Sequence, residues 1–227
     1  MGRGKLIVFE AGDASGKATQ ADKLFRRLLD GGYPVRKIEF PNYASQASSL
    51  IKMYLRGDFG KDPEQINPYA ASTFFTVDRY ASYKTEWEEY YLTGGILIAD
   101  RYTTSNMVHQ AAKITDQEQR TAYLQWLEDF EFNIFGLPRP DIVLFLDMPP
   151  EFSWRLMEER RRIESRSGDV VDIHEQDPEY LRQCYESALE LAQRYHWHKI
   201  GCVRAENVRS IDEIHEEIYQ TAVTLLT

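Results

Sequence analysis

The sequence KLIVFEAGDASGKATQADKL, residues 5–24, decides the fold. Its apolar start, residues 6–9, is typical of a buried strand, and its end has the apolar spacing of a helix. Between the two lies a turn of small residues that ends at Gly16 and Lys17. Such a turn can bind phosphate, because backbone N–H groups, the positive end of the helix and the lysine ammonium converge on one anion.

The turn matches the phosphate-binding motif G-x-x-x-x-G-K-[ST] only in part. Gly16 and Lys17 are in place, but Ala11 occupies the first glycine position. Ala18 stands where a Ser or Thr hydroxyl normally contacts Mg²⁺, and Thr19 cannot replace it because one helical step rotates a side chain by about 100°. The turn therefore predicts a phosphate site with a weakened metal contact. The alternative is an ordinary strand-to-helix turn of an α/β protein.

Length, charge and cysteine content limit the classes of protein to which this chain can belong. The chain has 227 residues, a length typical of one domain, and its net charge of -9 argues against a nucleic-acid groove or an anionic membrane surface as the main partner. We find no signal-peptide pattern and no apolar run approaching the ~20 residues that span a bilayer. Cys184 and Cys202 lack metal-binding spacing, so we expect reduced thiols in a cytoplasmic protein.

Strand and helix patterns alternate along the rest of the chain. Further strands are predicted at residues 35–40, 96–99, 142–146 and 199–203. Helices are predicted at residues 50–55, 68–92, 104–113, 117–135, 150–163 and 178–195, and after a capping box at 210–213. Alternation predicts one α/β domain over residues 1–227, a three-layer doubly wound parallel sheet flanked by helices. In such a sheet, ligands bind beyond the carboxyl ends of the strands.

Acidic residues stand at three predicted strand ends, namely Glu10, Asp100 and Asp147. A carboxylate there can hold Mg²⁺ or accept a proton. Asp100 is the stronger candidate because Arg101 follows it, and this pair suits a site that handles a metal and a phosphoryl group; the alternative is an ion pair that fixes a loop. Asp147 can equally cap or orient the helix that begins near Pro150.

An arginine-rich segment covers about residues 155–177. Its arginines are Arg155, Arg160, Arg161, Arg162 and Arg166, and they border a polar stretch that contains Gly168. One interpretation is a lid that closes over a phosphoryl group, excludes water and brings guanidinium groups onto it. The other is a solvated helix face, which a run of charge usually indicates.

The spacing of two residue pairs is relevant to ligand or metal binding. Phe75 and Arg79 are four residues apart in a predicted helix, so they share a face and could stack a base and bond its edge. Aromatic residues on a long helix are more often part of the core. His196 and His198 would share a face of a strand, but no third ligand is evident, so we do not expect a metal site there.

Four motifs, in this order, resemble those of the thymidylate kinases, which belong to the P-loop nucleoside monophosphate kinases. Residues 9–20, FEAGDASGKATQ, are similar to FEGxDGxGKTTQ, and residues 67–80, NPYAASTFFTVDRY, look like the helix that receives thymine. Residues 100–110, DRYTTSNMVHQ, are similar to DRYxxSxxAYQ. Residues 140–151, PDIVLFLDMPPE, are similar to PDxxxxLDxPPE. The resemblance covers nearly the whole chain.

The resemblance implies a homodimeric kinase that moves the γ-phosphoryl group of ATP to dTMP with Mg²⁺. The implied catalytic residues are Lys17, Asp100, Arg101, Arg161 and Arg166, with Asp100 placing Mg²⁺. The implied ATP-binding residues are Gly12, Asp13, Ala14, Ser15, Gly16, Lys17, Ala18 and Thr19. The implied dTMP-binding residues are Asp13, Phe40, Phe75, Arg79, Arg101, Tyr102, Ser105, His109 and Gln110.

The family pattern also implies a role for each dTMP-binding group. Asp13 would contact the 3′-hydroxyl, Arg101 would clamp the acceptor phosphate, and Tyr102 would lie under the deoxyribose. Phe75 would stack on thymine and Arg79 would bond its O4 edge. The remaining base contacts would come from Ser105 and Gln110, and from His109, which replaces the usual aromatic residue.

Departures from the family pattern leave two alternative functions open. Ala14 replaces an arginine that some members carry in the loop, which points to the lid arginines instead, and Tyr43 stands where an arginine is expected on the acceptor phosphate. One rival is a deoxynucleoside kinase, with Glu39 as the general base. The other is a nucleotide-binding regulator with little catalysis, suggested by Ala11, Ala18 and Tyr43.

Overall fold

The computed structural model of the protein describes residues 2–12, 14–60, 66–164 and 178–226, with only the backbone described in residues 159–164 and at residue 178. Within these ranges one parallel sheet is formed by β1 (Lys5–Glu10), β2 (Val35–Glu39), β3 (Ile96–Asp100), β4 (Ile142–Asp147) and β5 (His198–Gly201). The strand order is β2-β3-β1-β4-β5. A separate antiparallel hairpin pairs β6 (Val203–Arg204) with β7 (Asn207–Val208).

Helices connect the strands and cover both faces of the sheet. The α-helices described are α1 (Lys17–Asp30), α2 (Ser49–Leu55), α3 (Pro68–Ser82), α4 (Glu88–Leu92), α5 (Thr103–Ala111), α6 (Gln117–Glu128), α7 (Pro150–Glu164), α8 (Pro178–Arg194) and α9 (Ile211–Leu226). A short 3₁₀ turn, Gln46–Ser48, precedes α2. Among the described residues, no helix combines the length and the apolar character needed to cross a membrane.

The central strands are apolar because helices bury them on both sides. Residues 6–9 of β1 and 97–99 of β3 have no exposed surface. Leu6 and Val8 pack with residues of α5, α6 and α8, whereas Ile7 and Phe9 pack with α1 and α9. Alternate residues of one strand thus face opposite helical layers, which confirms the predicted three-layer doubly wound sheet.

Two predicted helices are interrupted by π-helical turns. The predicted 68–92 helix contains one at Tyr83–Trp87, and the predicted 117–135 helix contains one at Asp129–Ile134. The first turn lets Tyr83 and Trp87 both enter the core, with ring centroids 4.6 Å apart. The other boundaries differ from the predictions by one or two residues, which is usual at frayed ends.

Two predictions near the C-terminus are wrong. The last strand of the parallel sheet ends at Gly201 rather than Val203, because residues 203–208 turn back as the β6–β7 hairpin, in which Ala205 and Glu206 have positive φ. His196 and His198 do not share a strand face. β5 begins at His198, and His196 lies in the preceding turn with a φ of 53°.

Candidate active site

The turn that is predicted to bind phosphate leads from β1 into α1 at the carboxyl edge of the sheet. Gly16 has a φ of 81°, which glycine adopts without strain, and α1 begins at the next residue, Lys17. The hydroxyl of Ser15 is buried and has no hydrogen-bond partner among the described residues. A buried hydroxyl without a partner is costly unless a ligand completes it, so the turn is suited to an anion.

Lys17 reaches across the sheet edge and pairs with Asp100 at the end of β3. The Lys17 ammonium donates a short hydrogen bond to Asp100 Oδ1, and both side chains are about nine-tenths buried. The alternative of an Asp100–Arg101 ion pair is therefore not what the structure contains. Burial and the nearby charge of Arg101 lower the pKa of Lys17, while contact with Asp100 opposes this shift.

Glu10 ties the start of the turn to α5. Its side chain is almost completely buried, and Oε1 accepts a hydrogen bond of 3.0 Å from the Ala11 N–H. The other carboxylate oxygen, Oε2, accepts bonds of 2.6 Å from Thr104 and 2.7 Å from the Ser105 hydroxyl. Arg101 lies 3.8 Å from Oε1. Glu10 therefore joins the start of the turn to α5 through buried hydrogen bonds.

Arg101 is held by side chains of α5. Its Nη1 lies 3.1 Å from His109 Nε2 and 3.5 Å from the Ser105 hydroxyl. Because a guanidinium only donates, Nε2 of His109 must be the acceptor, which leaves the imidazole proton on Nδ1. That nitrogen lies 3.5 Å from the Cys184 sulfur. Arg101 itself has a φ of 66°, in the left-handed region.

An open cavity of about 370 Å³ lies beside these charged groups. Lys17, Asp100 and Arg101 line it, as do Phe75, Arg79 and Gln110. Phosphate-binding and base-binding candidates from distant parts of the chain therefore share one cavity. Phe75 meets the Tyr54 ring edge-on, with centroids 6.1 Å apart.

Arg79 is buried beside the cavity, where it pairs with Glu131, an acidic residue that we did not predict at this site. Its Nε donates a 2.9 Å hydrogen bond to Glu131 Oε2, and its Nη2 forms a second, short bond to Oε1. Nη2 also lies 3.3 Å from the Asn106 amide oxygen. Glu131 lies four residues after the buried Leu127, so a carboxylate on the apolar face of a predicted helix was the available signal.

Two amide atoms at the cavity lack partners. Asn106 Nδ2, a donor, and Gln110 Oε1, an acceptor, are buried without a hydrogen bond among the described residues. Both residues line the cavity, and they lie four apart on α5. Asn106 is the second residue that sequence reasoning missed, although its i, i+4 relation to Gln110 was visible.

Other residues that were predicted to bind substrate also line this cavity, and they differ in how far they are buried. Phe40 is nearly buried, and its ring lies 5.9 Å from that of Tyr102. Tyr102 has no exposed surface, and its hydroxyl donates to the Pro138 carbonyl at 3.0 Å. Burial raises the pKa of Tyr102 well above its ordinary value, so the hydroxyl stays protonated. Tyr43 and Glu39 line the more exposed part of the cavity.

Asp147 belongs to the framework. Its Oδ1 accepts a 2.7 Å hydrogen bond from the Tyr185 hydroxyl, and its Oδ2 lies 3.0 Å from the Lys199 ammonium. It therefore links β4 to α8 and β5. These contacts differ from the predicted capping of the helix that begins near Pro150, because they are made with α8 and β5.

Several predicted residues fall outside the described part of the chain. Asp13 and Arg166 are not described, and neither are the side chains of residues 160–162, which include Arg161. Arg155 is described and exposed, with its guanidinium 4.6 Å above the centre of the Phe152 ring. The choice between a lid and a solvated helix face for residues 155–177 therefore stays a prediction.

Comparison with known proteins identifies the family. The family model for thymidylate kinase matches residues 9–218. The chain belongs to the thymidylate kinase family. It is 32% identical over 201 residues to the putative thymidylate kinase 251L of Invertebrate iridescent virus 6, covering 88% of this chain and 81% of the relative. It is also similar to the probable thymidylate kinase of Pyrococcus horikoshii and to the thymidylate kinase of Mycobacterium tuberculosis.

These two relatives match along most of their length. The archaeal protein is 31% identical over 216 residues, covering 95% of this chain and 94% of the relative. The mycobacterial protein, from strain H37Rv, is 30% identical over 190 residues, covering 82% of this chain and 85% of the relative. Family membership makes this chain a nucleoside monophosphate kinase. The turn that is predicted to bind phosphate, Lys17 and the cavity described above all fall within the matched residues.

Proposed function

We propose that this protein transfers the γ-phosphoryl group of ATP to dTMP, giving dTDP and ADP. The observation that carries the choice of base is the set of groups at the cavity: a donor on Arg79, an acceptor on Gln110 and a donor on Asn106. Thymine presents an acceptor, a donor and an acceptor along O4, N3–H and O2. The two patterns are complementary, with Phe75 available for stacking.

The reaction needs positioning and charge neutralisation more than covalent chemistry. An oxygen of the dTMP phosphate attacks the γ-phosphorus of ATP, a new P–O bond forms, and the bond to the β-phosphate oxygen breaks, which releases ADP. In this proposal the turn and Lys17 bind the ATP phosphates, and Arg101 clamps the acceptor phosphate. Because the acceptor is already an anion, the residues need not supply a general base.

Magnesium fits this site through one carboxylate. Mg²⁺ keeps several waters and commonly binds one or two carboxylates together with substrate phosphates, and Asp100 lies beside Lys17 where those phosphates would come. Among the described residues, no group of three or more His, Cys, Asp or Glu side chains is placed to hold a metal ion. Asp100, with the ATP phosphates, would hold the ion, which would neutralise charge on the phosphoryl oxygens.

The remaining roles are also proposals. Tyr102 and Phe40 support the deoxyribose, and Asp13 contacts its 3′-hydroxyl. We propose that residues 1–227 form a single domain whose segment at about 155–177 closes as a lid, with Arg161 and Arg166 reaching the transferring phosphoryl group. A cytoplasmic location stays a prediction.

We further propose a homodimer through an apolar face formed by α3 and the π-helical turn that follows α6. Val77 and Tyr80 are more than one-third exposed, and Ile134 is 67% exposed. Tyr80 packs edge-on against Phe135, at 5.3 Å, so the two elements present one surface. Val77→Glu with Tyr80→Glu should convert a dimer to a monomer in light scattering, whereas Leu29→Glu, at an exposed leucine of α1, should not. A wild-type monomer would refute the dimer.

A coupled ADP-release assay with ATP and Mg²⁺ tests the function. The acceptors are thymidine, dTMP, dUMP, dGMP, dCMP and none. We expect turnover to be selective for dTMP. Turnover on thymidine alone would make the protein a nucleoside kinase with Glu39 at its centre, and nucleotide binding with no turnover would favour a regulator.

A matched pair of variants tests the base contacts separately. Gln110→Met removes the unpartnered acceptor and should raise the KM for dTMP about tenfold, the effect of one buried hydrogen bond. Gln125→Met makes the same change at an exposed position of α6 and should leave KM unchanged. Equal KM values in both variants would mean that Gln110 does not contact the base.

A further inference from the structure

A second cavity, of about 240 Å³, lies beside α5 and is separate from the cavity of the candidate active site. Its lining from α5 consists of Thr103, Thr104 and Met107, and none of the described residues lines both cavities. The other walls come from the end of α6 with the π-helical turn after it, from the start of β4 with the residues before it, and from the turn between α8 and β5. The proposed function makes no use of this space.

Aromatic side chains supply much of the wall of this second cavity. Phe132 belongs to the π-helical turn, and Tyr195 and Trp197 belong to the turn between α8 and β5. Trp197 is held in place by its packing against Phe145, with ring centroids 6.2 Å apart. The face of an aromatic ring carries partial negative charge and attracts cations, besides offering apolar contact. Such walls suit a ligand that combines an apolar group with a positive charge.

Two carboxylates line the same cavity, and they differ in how far they are already engaged. The two oxygens of Asp141 accept hydrogen bonds of 3.2 Å from the Lys5 ammonium and 2.9 Å from the Leu6 N–H. Glu128 lies beside Tyr195, where burial and a hydrogen bond with Glu128 raise the pKa of the tyrosine to about 12. A carboxylate has about four acceptor positions, so Glu128 can accept further bonds from a ligand.

The position of Arg139 shows what this part of the cavity attracts. The centre of its guanidinium group lies 4.4 Å from the centre of the Phe132 ring. Its Nη1 lies 3.7 Å from Glu128 Oε2, which is beyond hydrogen-bonding distance, and the side chain is 51% exposed. A half-exposed ion pair without a hydrogen bond contributes little to stability, so Arg139 can be displaced into solvent at low cost. Arg139 therefore occupies the place that a cationic ligand would take.

We propose that this second cavity binds a small organic ammonium ion that carries one apolar group about the size of a ring. The ammonium donates hydrogen bonds to Glu128 and lies on the Phe132 face that Arg139 now covers, while the apolar group packs against Trp197. An anion fits less well, because Glu128 and Asp141 both line the cavity and repel it. This inference does not rest on the proposed function, since the two cavities have separate linings.

The test uses benzylammonium as the probe, with benzyl alcohol and benzoate as its neutral and anionic counterparts. Each is titrated into the ¹⁵N-labelled full chain at constant ionic strength, and the indole N–H signals of the four tryptophans are followed by NMR. The Trp197 signal is assigned by its loss in Trp197→Phe. We expect benzylammonium to shift this signal with a Kd of about 1 mM, as is usual for so small a ligand. Benzyl alcohol should bind about tenfold more weakly, and benzoate more weakly still.

Two matched pairs of variants locate the binding. Glu128→Gln should weaken benzylammonium binding about tenfold, the effect of one hydrogen bond to a charged group, whereas Glu118→Gln, at an exposed position of the same helix, should not. Arg139→Met removes the competing cation and should tighten binding about threefold, the effect of one exposed cation–π contact. Arg182→Met, at a similarly exposed arginine of α8, is its control and should leave the Kd unchanged.

Phe132→Leu keeps the test possible if Glu128→Gln folds poorly, since it removes the ring face but no charge, and it should weaken benzylammonium binding about threefold. The inference is overturned if the Trp197 signal does not shift, if benzyl alcohol or benzoate binds as tightly as benzylammonium, or if Glu128→Gln and Glu118→Gln bind it equally. A wild type that binds benzylammonium as expected but does not phosphorylate dTMP would refute the proposed function and leave this inference in place.

Discussion

The ammonium of Lys17 lies against the carboxylate of Asp100, although Arg101 is the neighbour of Asp100 in the chain. The pair joins the helix after β1 to the end of β3, two adjacent strands of the sheet. Both members have proposed ligands of opposite charge, namely ATP phosphates for Lys17 and Mg²⁺ for Asp100. In the proposed function, the ATP phosphates and Mg²⁺ would compete with this contact for the two side chains.

Removing either basic residue of the proposed centre should abolish most of the activity. Lys17→Met and Arg101→Ala should each lower kcat/KM for dTMP by about 10²-fold or more, because each removes a charge aimed at phosphoryl oxygens. Lys23→Met serves as the control, since Lys23 lies on the same helix as Lys17 but pairs with Asp212 of α9. If both variants kept full activity in the ADP-release assay, the catalytic centre would lie elsewhere.

Binding of ATP should be accompanied by proton uptake at alkaline pH. Burial lowers the pKa of Lys17, so a larger fraction of this lysine is neutral at alkaline pH than of an ordinary lysine. Phosphate favours the charged form and raises the pKa again, which draws in a proton. Calorimetric titrations in two buffers of different ionisation enthalpy measure this uptake. It should vanish in Lys17→Met, and proton release in the wild type would contradict the prediction.

Restoring the missing hydroxyl should strengthen the metal contact. Ala18 is exposed on the first turn of α1, so a larger side chain meets no packing barrier. In Ala18→Thr the Mg²⁺ concentration for half-maximal rate should fall about tenfold, the effect of one hydrogen bond to a charged group. Ala18→Val adds a side chain of similar size without the hydroxyl and should leave the magnesium curve unchanged. An unchanged magnesium curve for Ala18→Thr would mean that this position does not face the metal.

His109 should act on the acceptor phosphate through Arg101. His109→Phe keeps a flat ring but removes the acceptor that lies 3.1 Å from the guanidinium. We expect a rise of about tenfold in the KM for dTMP and little change in the KM for ATP. His109→Gln retains an acceptor and should recover part of the loss. Equal KM values for His109→Phe and His109→Gln would count against this hydrogen bond.

The ionised side chain of Asp78 should lower the free energy of unfolding of the protein at neutral pH. The residue is 1% exposed, and although its Oδ2 accepts a 2.8 Å bond from the Asn42 N–H, its Oδ1 has no partner among the described residues. Burial raises the pKa of Asp78, so the folded protein binds this proton more tightly than the unfolded chain does. Stability is consequently lost as pH rises from the unfolded pKa through the folded one.

Asp78→Asn avoids that loss because its side chain does not ionise. We expect its Tm to exceed that of the wild type by about 2–4 °C at neutral pH, as for a change of about 1 kcal/mol in a chain of this length. The difference should shrink toward acidic pH. Asp129→Asn, at an exposed aspartate, is the control. Thermal unfolding followed by circular dichroism at several pH values makes the comparison, and a difference that grew at acidic pH would contradict the sign.

The sequence predicted the sheet well because its evidence was local. Continuous apolar runs such as residues 6–9 can only be buried on both faces, and this requires helices on both sides. Side-chain partners were less predictable. The φ of 66° at Arg101 turns this residue toward His109, and no spacing rule reveals such a backbone conformation. The ion pair between Arg79 and Glu131 joins helical segments that are distant in sequence, so the folded structure is needed to find it.

The order of the strands has a consequence for biosynthesis. β1 precedes the other described strands in the chain, and both of its neighbours come much later, since Lys5 pairs with Ile96 and Ile7 with Ile142. A growing chain therefore carries the apolar residues 6–9 with both strand edges unpaired until β3 is made, and with one edge unpaired until β4 is made. Such edges attract other chains. Nascent chains that stop before β3 should accordingly aggregate or occupy chaperones, whereas chains that extend past β4 can bury their first strand.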